Sequence, residues 1–528
     1  TFIYMLVLTF SGPSAYPGPW YLAPKVHNSP DCLHIGGWHD VAGALTFKGT
    51  HHVFQGCPNS GGWSHASSTD LVHWSDNGLG PVLINETYAG MKSSVSPCSG
   101  FVAVNDDNVP CAGFRQCGST NGTTELNPAA HSWDVPMEVR CATNAELTEW
   151  GEPQWLNAIY YYRALPYDPV RPWKDTDGKW YYGLSTDGCN ATTEKVPCAA
   201  GGRLDLFTAD KFDGPWTQLA PLFTTNTTIS GKQATASISG EFVTSGYFGA
   251  LPGDPSGGAS RVVTQNFGAP TFWVGAQPTP GGPFTPHWDK PGAVGHYDYG
   301  RLTMARTLGS DPNQVAVAGR KVLVGWIQAP GWRPPGWPLV QPASQSLGRD
   351  LSLSAGHELL QQFVPELASL RGKHARTTEL HVVKPASMQL EVVATFTGIL
   401  DLPKPVFGVD VLVPANGSQS VSLTVDCTAP AADADCHVSI GGATVPQTSV
   451  GPLLFGAGER GVVRMHAIVD HSIIELIVNN RTAIVQYASP PSEAWSGVRL
   501  FGPGQPGQPG QPGLGYQAAL DYWELDSI

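Results

Sequence analysis

Residues 44–56 read ALTFKGTHHVFQG, short apolar and aromatic runs broken by a glycine. The same theme recurs in GFVAVNDDNVPCAGF at 100–114, GKWYYGLS at 178–185 and RKVLVGWIQ at 320–328. Runs of this kind, bounded by turn residues, are typical of antiparallel hairpins. From Trp38 to Gln328 the sequence therefore predicts a meander of short strands, and radial repetition of such sheets gives a β-propeller. The spacing alone does not count the blades.

The composition also favours an all-β protein. Only 14% of the 528 residues are charged, while there are 61 glycines and 46 prolines, which suits short strands and tight turns. The length is too great for one ordinary core and predicts two domains. A net charge of −13 would repel phosphate backbones and anionic lipid, so nucleic acid and membrane surfaces are not expected partners.

Alternating polar and apolar residues mark a second all-β unit towards the C-terminus. SVSLTVDC at 420–427, MHAIVDHSIIELIVNN at 465–480 and TAIVQYAS at 482–489 predict strands of a β-sandwich. The sandwich carries no catalytic signal. Its polar residues Asp470, His471 and Glu475 fall on strand positions where exposed side chains are expected.

Between the two units lies a brief helical signal, ELLQQFVPELASL at 358–370, which Pro365 interrupts, and it predicts an interdomain linker. The segment GPGQPGQPGQPGLG has nothing to bury and predicts a loop between the last two strands. The predicted organisation is an N-terminal extension or signal-peptide remnant at 1–19, a propeller at 20–355, a linker at 356–374, and a sandwich at 375–528 with the loop at 502–515.

Cysteines and sequons indicate an oxidising, secretory environment. Ten cysteines, without paired CxxC knuckles, favour disulfides over zinc, and short loops such as Cys189 to Cys198 and Cys427 to Cys436 are easily bridged. Six N-x-S/T sequons and the apolar stretch FIYMLVLTF at 2–10 point the same way. We expect a secreted protein or one of a vacuole-type lumen. No apolar run reaches the length of a membrane span.

Three carboxylates lie in turns or strand edges among glycines and aromatic residues: Asp40 in GGWHDVAG, Asp168 in YDPVRPW and Glu241 in ISGEFV. Hydrolysis of a glycosidic bond needs one carboxylate to attack or to activate water and another to protonate the leaving oxygen. A single aspartate in a glycine-rich turn is more often a turn cap. Chemistry alone therefore does not select these three from 43 acidic residues.

The order of motifs along the chain resembles glycoside hydrolase family 32, the invertases, inulinases and fructan hydrolases. Residues 36–74 are similar to that family's N-terminal catalytic block, with Trp38, Asp40 and Gly43 in its W-M-N-D-P-N-G motif and Gln55 on the following strand. CSGF at 98–101 is similar to F-S-G-S, YDP at 167–169 to R-D-P, and HYDYGRLTMARTL at 296–308 to the Y-D-x-G segment. Glu241 stands where the E-C motif has its glutamate.

This resemblance implies a five-bladed propeller followed by a C-terminal sandwich, and a retaining mechanism on β-fructofuranosyl bonds. Asp40 would be the nucleophile, Glu241 the general acid/base, and Asp168 the stabiliser of the oxocarbenium-like transition state. Retention predicts that the carboxyl groups of Asp40 and Glu241 lie roughly 5 Å apart. Sucrose or a fructan is the implied substrate, without metal or cofactor.

The resemblance also implies a sugar pocket that buries the fructosyl ring. Trp63 is equally well explained by core packing. His51, His52, His65 and His73 lack the spacing of metal ligands and are predicted to be structural. The predicted pocket residues are Trp38, His39, Phe54, Gln55, Trp63, Ser99, Tyr167, Arg171 and Tyr297.

Two departures from the family pattern affect this pocket. His39 replaces the asparagine before the nucleophile, and Tyr167 replaces the arginine before Asp168, although tyrosine cannot reproduce a guanidinium fork. Arg163 or Arg171 is a candidate to supply that group from the adjacent turn. Val41 and Ala42 replace the motif's P-N pair.

Three alternatives stay open at this point. A fructosyltransferase would use the same fold to hand the fructosyl unit to a sugar. A sugar-binding protein without catalysis would explain His39 and Tyr167. An enzyme of inverting geometry on another furanoside, such as arabinan, would separate the two carboxyls by about 6.5 to 9.5 Å. The sequence gives no indication of oligomeric state.

Overall fold

The protein is seen here in a computed structural model. The described residues are 25–27, 40–57, 62–79, 96–117, 123–124, 127–131, 137–156, 166–186, 203–224, 228–229, 232–233, 242–243, 251–257, 259–265, 270–310, 320–328, 344–428, 435–503 and 515–528.

The described part of the chain is nearly all β, as predicted, and its N-terminal region contains short strands. They are β1 (Val41–Phe47), β2 (Thr50–Cys57), β3 (Gly62–Ser68), β4 (Ser75–Leu79), β5 (Ser96–Val104), β6 (Pro110–Cys117), β7 (Thr123–Thr124), β8 (Asn127–His131), β9 (Met137–Cys141), β10 (Gln154–Leu156), β11 (Pro166–Lys174), β12 (Trp180–Thr186), β13 (Arg203–Ala209), β14 (Thr217–Gln218), β15 (Phe223–Thr224), β16 (Thr228–Ile229), β17 (Lys232–Gln233), β18 (Phe242–Val243), β19 (Ser260–Gln265), β20 (Thr271–Ala276), β21 (Thr285–Pro286), β22 (Val294–His296), β23 (Leu302–Ser310), β24 (Val322–Ile327), β25 (Ser344–Gln345), β26 (Arg349–Leu353) and β27 (Leu359–Phe363).

The predicted hairpin at 44–56 is confirmed as β1 and β2. Its turn residues, Lys48 and Gly49, both have positive φ angles, of 48° and 81°. Two successive positive φ values define the tight turn whose twist matches antiparallel strands, and glycine adopts the second at little cost. The hairpins β5–β6 and β12–β13 repeat this local pairing.

These strands form several sheets, which contact one another through β1, β5, β11 and β23: β1 contacts β5 and β23, and β5 contacts β11. The largest sheet has the order β27-β26-β24-β23-β1-β2-β3-β4, and its two antiparallel halves meet through a short parallel pairing of Leu45 and Thr46 with Gly309 and Ser310. The next sheets run β10-β9-β6-β5 and β11-β12-β13-β14, so that β5 and β11 are edge strands. The last has the order β18-β19-β20-β21. We call β1, β5, β11 and β23 the inner strands.

The C-terminal region forms two sheets around one core. The six-stranded sheet has the order β28-β38-β29-β34-β35-β36, and the five-stranded sheet has the order β33-β32-β31-β30-β37. The strands are β28 (Arg371–Thr377), β29 (Gln389–Thr397), β30 (Val406–Val413), β31 (Val421–Asp426), β32 (His437–Gly442), β33 (Ser449–Pro452), β34 (Val462–Asp470), β35 (Ile473–Val478), β36 (Thr482–Tyr487), β37 (Gly497–Phe501) and β38 (Gln517–Leu525).

The six-stranded sheet is buried on both faces at β35 and β36, whereas its edge strand β28 is largely exposed. Alternate residues such as Val392 on β29 share a core with Leu423 and other residues of the five-stranded sheet, which is the packing of a β-sandwich. The opposite face supplies Ile468 and Ile477 to a core shared with Val41 of β1. β35 and β36 are therefore buried along their whole length, and their sequences read as continuous apolar runs.

A chain of buried charges crosses between the two regions, and it corrects the expectation that Asp470, His471 and Glu475 are exposed. Their exposed fractions are 0%, 4% and 0%. His27 Nδ1 lies 2.8 Å from Asp470 Oδ2, and His27 Nε2 lies 3.1 Å from Glu475 Oε1. Strand position predicts exposure only when one face of the sheet meets water, and the end of β34 and the whole of β35 have no such face.

Arg349 extends this chain of buried charges into the N-terminal region. One guanidinium nitrogen, Nη2, donates to Glu475 Oε2 at 2.9 Å and to Asp298 Oδ2 at 3.0 Å. All three side chains are fully buried. Asp470 also accepts bonds from the backbone N–H groups of Lys25, Val26 and His27, each at 2.8 Å. The segment 25–27, the N-terminal region and the sandwich thus share one ionic network.

The helical signal at 358–370 is wrong in its first half. Leu359–Phe363 forms β27 and pairs with β26, with alternate burial, while Pro365–Leu370 forms a short 3₁₀ helix. Buried Gln361 donates through its side chain to the carbonyl of Tyr297 at 3.0 Å, so tertiary pairing overrides local helix propensity. The predicted boundary at 374/375 falls inside β28. The other described 3₁₀ helix is Ile399–Asp401.

Other predicted segments lie largely outside the described residues. These include the N-terminal extension at 1–19 and most of the loop at 502–515, whose flanking strands are β37 and β38 as predicted. Within the described ranges, no helix has the length and apolar character needed to cross a membrane.

Two disulfides are present among the described residues. Cys427–Cys436 confirms a predicted short bridge, and Cys111–Cys141 joins directly paired positions on β6 and β9. Cys189 and Cys198 lie outside the described residues.

The longer loop should stabilise more when it is cross-linked. The bridges span sequence separations of 9 and 30 residues. Chain entropy then predicts a loss of roughly 2.7 kcal/mol for the Cys427→Ala/Cys436→Ala variant and roughly 3.7 kcal/mol for Cys111→Ala/Cys141→Ala. Denaturant unfolding of both variants measures this difference, and the reverse order would contradict a chain-entropy origin.

Candidate active site

Asp40 lies directly before β1, at the end of an inner strand. Its carbonyl oxygen accepts a hydrogen bond from the Gly56 N–H at 3.0 Å, which fixes its backbone to the end of β2. Its side chain is half-buried. Gly43, three residues later, lies so close to β5 that a Cβ there would approach Val102 Cγ2 to 2.6 Å. Only glycine therefore lets the strand that follows Asp40 pack this tightly.

Gln55 lies across the hairpin from Val41, the residue that follows Asp40. Its side chain is fully buried, and neither its amide oxygen nor its amide nitrogen has a hydrogen-bond partner in the described structure. An unpaired buried amide costs about 1 to 3 kcal/mol, and such groups in native proteins call for an explanation such as a ligand or bound water. The assignment of Gln55 to a sugar pocket stays a prediction.

Phe54 and Trp63 lie in a packed core between sheets. Both are 0% exposed, and Trp63 meets Phe114 edge-on with ring centroids 5.5 Å apart. A Cβ on Gly100 would lie 2.6 Å from the Trp63 ring, so β5 approaches that ring closely. These contacts give both side chains a packing role. That either one also contacts a sugar stays a prediction.

Three histidines beside this core are buried. His52 Nδ1 and His65 Nε2 are 2.9 Å apart, and His51 Nδ1 lies 2.8 Å from Thr46 Oγ1. Burial lowers the pKa of His51 and His52 to about 4 each and that of His65 to about 3. They are therefore neutral near pH 7 and suited to packing. Among the described residues, no group of three or more His, Cys, Asp or Glu is arranged to hold a metal ion.

The inner strand β11 carries Tyr167, Asp168 and Arg171. The side chains of Tyr167 and Asp168 lie outside the described residues. Arg171 Nη1 donates to the carbonyl oxygens of Ala44 at 2.9 Å and Thr307 at 3.2 Å, and its Nη2 donates to Thr307 Oγ1 at 3.1 Å. The guanidinium thus bonds to two other inner strands, and its role in binding substrate stays a prediction.

Tyr297 is buried in an apolar core that includes Ile473 and Val485 of the sandwich. Burial, with Asp298 next to it, raises the pKa of its phenol above the usual range. Its carbonyl oxygen accepts a bond from Arg349 Nη1 at 3.3 Å. Its predicted contact with substrate likewise stays a prediction.

The remaining predicted site residues fall outside the described part of the chain. They are Trp38, His39, Arg163 and Glu241; Ser99 lies on β5, but its side chain is outside the described residues. The separation of the Asp40 and Glu241 carboxyl groups stays a prediction.

Sequence reasoning did not single out Arg306, a buried arginine on β23 that is 3% exposed. Its Nη2 donates to the carbonyl oxygens of Pro169 at 3.4 Å and Gly100 at 3.5 Å. The sequence feature that could have identified Arg306 is its position as the one charged residue of the strand LTMARTLGS, because a buried cation needs hydrogen-bond acceptors.

Comparison with known proteins bears directly on the sandwich. Residues 366–508 match the family model described as glycosyl hydrolases family 32 C terminal. The sandwich thus resembles the C-terminal domain of glycoside hydrolase family 32. The predicted resemblance to family 32 is thereby confirmed. No curated protein matches the chain by sequence.

Solved structures of family 32 enzymes resemble nearly the whole chain. Exo-inulinase from Aspergillus awamori has 17% sequence identity and a TM-score of 0.71, over 97% of this chain and 100% of that one. Fructan 1-exohydrolase IIa from Cichorium intybus has 16% identity and a TM-score of 0.70, over 97% and 98%. For fructosyltransferase from A. japonicus the values are 14% and 0.67, over 96% and 95%. These likenesses establish the fold, a propeller followed by a sandwich.

Further structures of this fold were solved as complexes with sugars. The fructan exohydrolase was solved with 1-kestose, a Bombyx mori β-fructofuranosidase with sucrose, and a Schwanniomyces occidentalis fructofuranosidase with fructosylnystose. Each of these sugars contains a fructosyl unit.

Proposed function

We propose that this chain is a secreted, retaining β-fructofuranosidase that hydrolyses terminal fructosyl bonds of sucrose or fructans. Its catalytic domain is a five-bladed propeller, in which β1, β5, β11 and β23 begin four of the blades. The supporting observation is that Gln55, whose buried side-chain amide has no hydrogen-bond partner in the described structure, lies opposite Val41, the residue that follows half-buried Asp40. The family 32 fold and the fructosyl sugars of its solved complexes support the substrate class.

The proposed chemistry divides the work between two carboxyl groups. Asp40 attacks the anomeric carbon of the fructosyl unit while Glu241 gives its proton to the leaving oxygen, which releases the first sugar. Glu241 then takes a proton from water as that water attacks the fructosyl-enzyme ester, and Asp40 is released as a carboxylate. Asp168 stabilises the positive charge that develops on the ring.

Polar residues of the pocket would hold the fructosyl hydroxyls in this geometry. The Gln55 amide offers one acceptor and two donors, which matches the chemistry of vicinal hydroxyls. The other proposed pocket residues are Trp38, His39, Ser99 and Tyr167.

Product analysis tests this proposal directly. Incubation with sucrose, inulin and levan should release free fructose, which chromatography measures. In the presence of methanol a retaining enzyme should form methyl β-fructofuranoside, whose configuration NMR reports. The α-anomer would indicate an inverting mechanism, and binding without turnover would indicate a sugar-binding protein.

A fructosyltransferase is the second candidate, because an enzyme with that activity shares the fold over 96% of this chain. It would use a sugar hydroxyl instead of water to open the same ester. Longer oligomers at high sucrose concentration, in place of free fructose, would identify it.

A further inference from the structure

The free edges of the inner strands pose a structural problem. β5 and β11 are edge strands, and β1 and β23 pair with each other only through two residue pairs at one end. An edge strand presents backbone C=O and N–H groups that the sheet does not satisfy. Where such groups are buried, side chains must supply the missing bonds.

Two arginines supply bonds at these edges. Arg171 reaches from β11 to the Ala44 carbonyl on β1 and to Thr307 on β23. Arg306 reaches from β23 to the Gly100 carbonyl on β5 and the Pro169 carbonyl on β11. Together they connect all four inner strands, and we call them the cross-strand arginine pair.

The acceptors lie close in sequence to the proposed catalytic and pocket residues. Pro169 follows Asp168, Gly100 follows Ser99, and Ala44 lies on the strand that begins after Asp40. A shift of one inner strand against another would therefore change the spacing of these groups. A misplacement of about 1 Å far from the reacting atoms can cost roughly 10²-fold in rate.

We propose that Arg171 and Arg306 are positioning residues, which fix the distance between β1, which follows Asp40, and β11, which carries Asp168, and so set the catalytic rate. This inference rests on the proposed fructosidase function. A guanidinium suits the role because it presents several donors in a rigid plane and can bridge acceptors on different strands. Lysine would keep the charge without that fork.

The test compares Arg171→Lys, Arg171→Met, Arg306→Lys and Arg306→Met with the wild-type enzyme on sucrose. We expect kcat to fall by about 10- to 100-fold while KM changes by less than about threefold. Arg320→Met is the matched control, because Arg320 bonds to Asp350 and Glu366 nearer the surface. Its kcat should stay within about twofold of wild type.

Chemical rescue separates positioning from general loss of structure. Millimolar methylguanidinium added to Arg171→Ala should restore part of kcat, and the same addition to Arg320→Met should not change it. The lysine variants keep the charge and provide folded protein, checked by melting temperature, if the shorter variants do not fold.

The outcomes are distinct. An unchanged kcat in folded Arg171 and Arg306 variants would overturn the positioning role alone. A rise in KM of tenfold or more at constant kcat would also overturn it, because that result indicates direct binding of substrate. A loss of kcat that tracks a fall in melting temperature without rescue would reduce the pair to a structural role. Absence of any fructosyl turnover by the wild-type enzyme would instead remove the proposed function, and this role with it.

Discussion

The Asp40→Ala variant is expected to lose turnover of sucrose by a factor on the order of 10⁴ to 10⁶ while remaining folded. The loss follows because the covalent step has no other group to form the fructosyl ester. Asp40 is half-buried and makes its backbone bond to Gly56 through its carbonyl, which alanine retains. The initial rate of fructose release measures the effect, and the melting temperature reports on the fold.

A matched control lies on the same sheet. Asp76 on β4, an outer strand, is exposed, and the Asp76→Ala variant should keep its activity within about twofold of wild type. The Asp40→Ala protein should still bind 1-kestose in calorimetry. Retention of more than about 1% of the wild-type rate would mean that the nucleophile is a different residue.

The Arg349→Met variant is expected to lose about 3 to 5 kcal/mol of stability, because it leaves the buried carboxylate of Asp298 without its cation and that of Glu475 with His27 alone. Methionine fills much of the same volume, so the loss reports charge more than packing. Denaturant unfolding of the variant and the wild type measures it.

The pH dependence of this network follows from four groups. Burial, opposed by Arg349, raises the pKa of Asp298 to about 6. Burial disfavours charged His27, but bonds to Asp470 and Glu475 outweigh it and raise its pKa to about 9. Burial likewise opposes ionisation of Asp470, yet the bond and charge of His27 hold its pKa below the usual range. Burial also opposes ionisation of Glu475, but Arg349 and His27 hold its pKa below the usual range.

The signs of these shifts define a window. A raised pKa stabilises the protonated form, so the contribution of Asp298 is lost as the pH rises towards 6 and that of His27 as it rises towards 9. The lowered pKa values of Asp470 and Glu475 give stability that is lost as the pH falls below their ordinary range. The wild type should therefore lose stability both in strong acid and as the pH rises from 6.5 to about 9. Arg349→Met should be less destabilised at pH 5 than at pH 8, because protons neutralise the orphaned carboxylates.

Arg320→Met again provides the comparison. Arg320 also bonds to two carboxylates, but its side chain is 32% exposed, so its loss should cost about 0 to 1 kcal/mol. Equal losses in the two variants would contradict the importance of burial. An Arg349→Met loss that does not change between pH 5 and pH 8 would exclude unpaired charge as its cause.

Local sequence predicts local structure well in this chain. The turn at Lys48 and Gly49 and the alternating run SVSLTVDC predict their hairpin and sandwich strand because the residues that decide them are neighbours. The hairpin also brings the backbone of Asp40 to Gly56, the residue after Gln55. Asp168 and Glu241 were predicted from the family resemblance and not from spacing, because the sequence of a single turn does not predict which distant residues lie near it in the fold.

Long-range partners are what the sequence does not predict. His27 meets Asp470 across 443 residues, and Arg349 meets Glu475 across 126. From the sequence, Asp470 and Glu475 are therefore predicted to be exposed, because the packing of this face of the six-stranded sheet against the N-terminal region is not predictable. Leu359–Phe363 has helix-forming residues, but pairing with β26 decides its conformation.

The position of β38 has a consequence for the order of biosynthesis. This strand lies between β28 and β29, and it brings His374 to 3.0 Å from Asp521, 147 residues later. A ribosome must deliver residues 517–525 before the six-stranded sheet can close, and contacts this distant in sequence form slowly because long loops must be ordered first. The N-terminal strands can fold before β38 is synthesised, but the six-stranded sheet that packs against them is completed only afterwards. Nascent chains halted before β38 should therefore be the ones that chaperones hold.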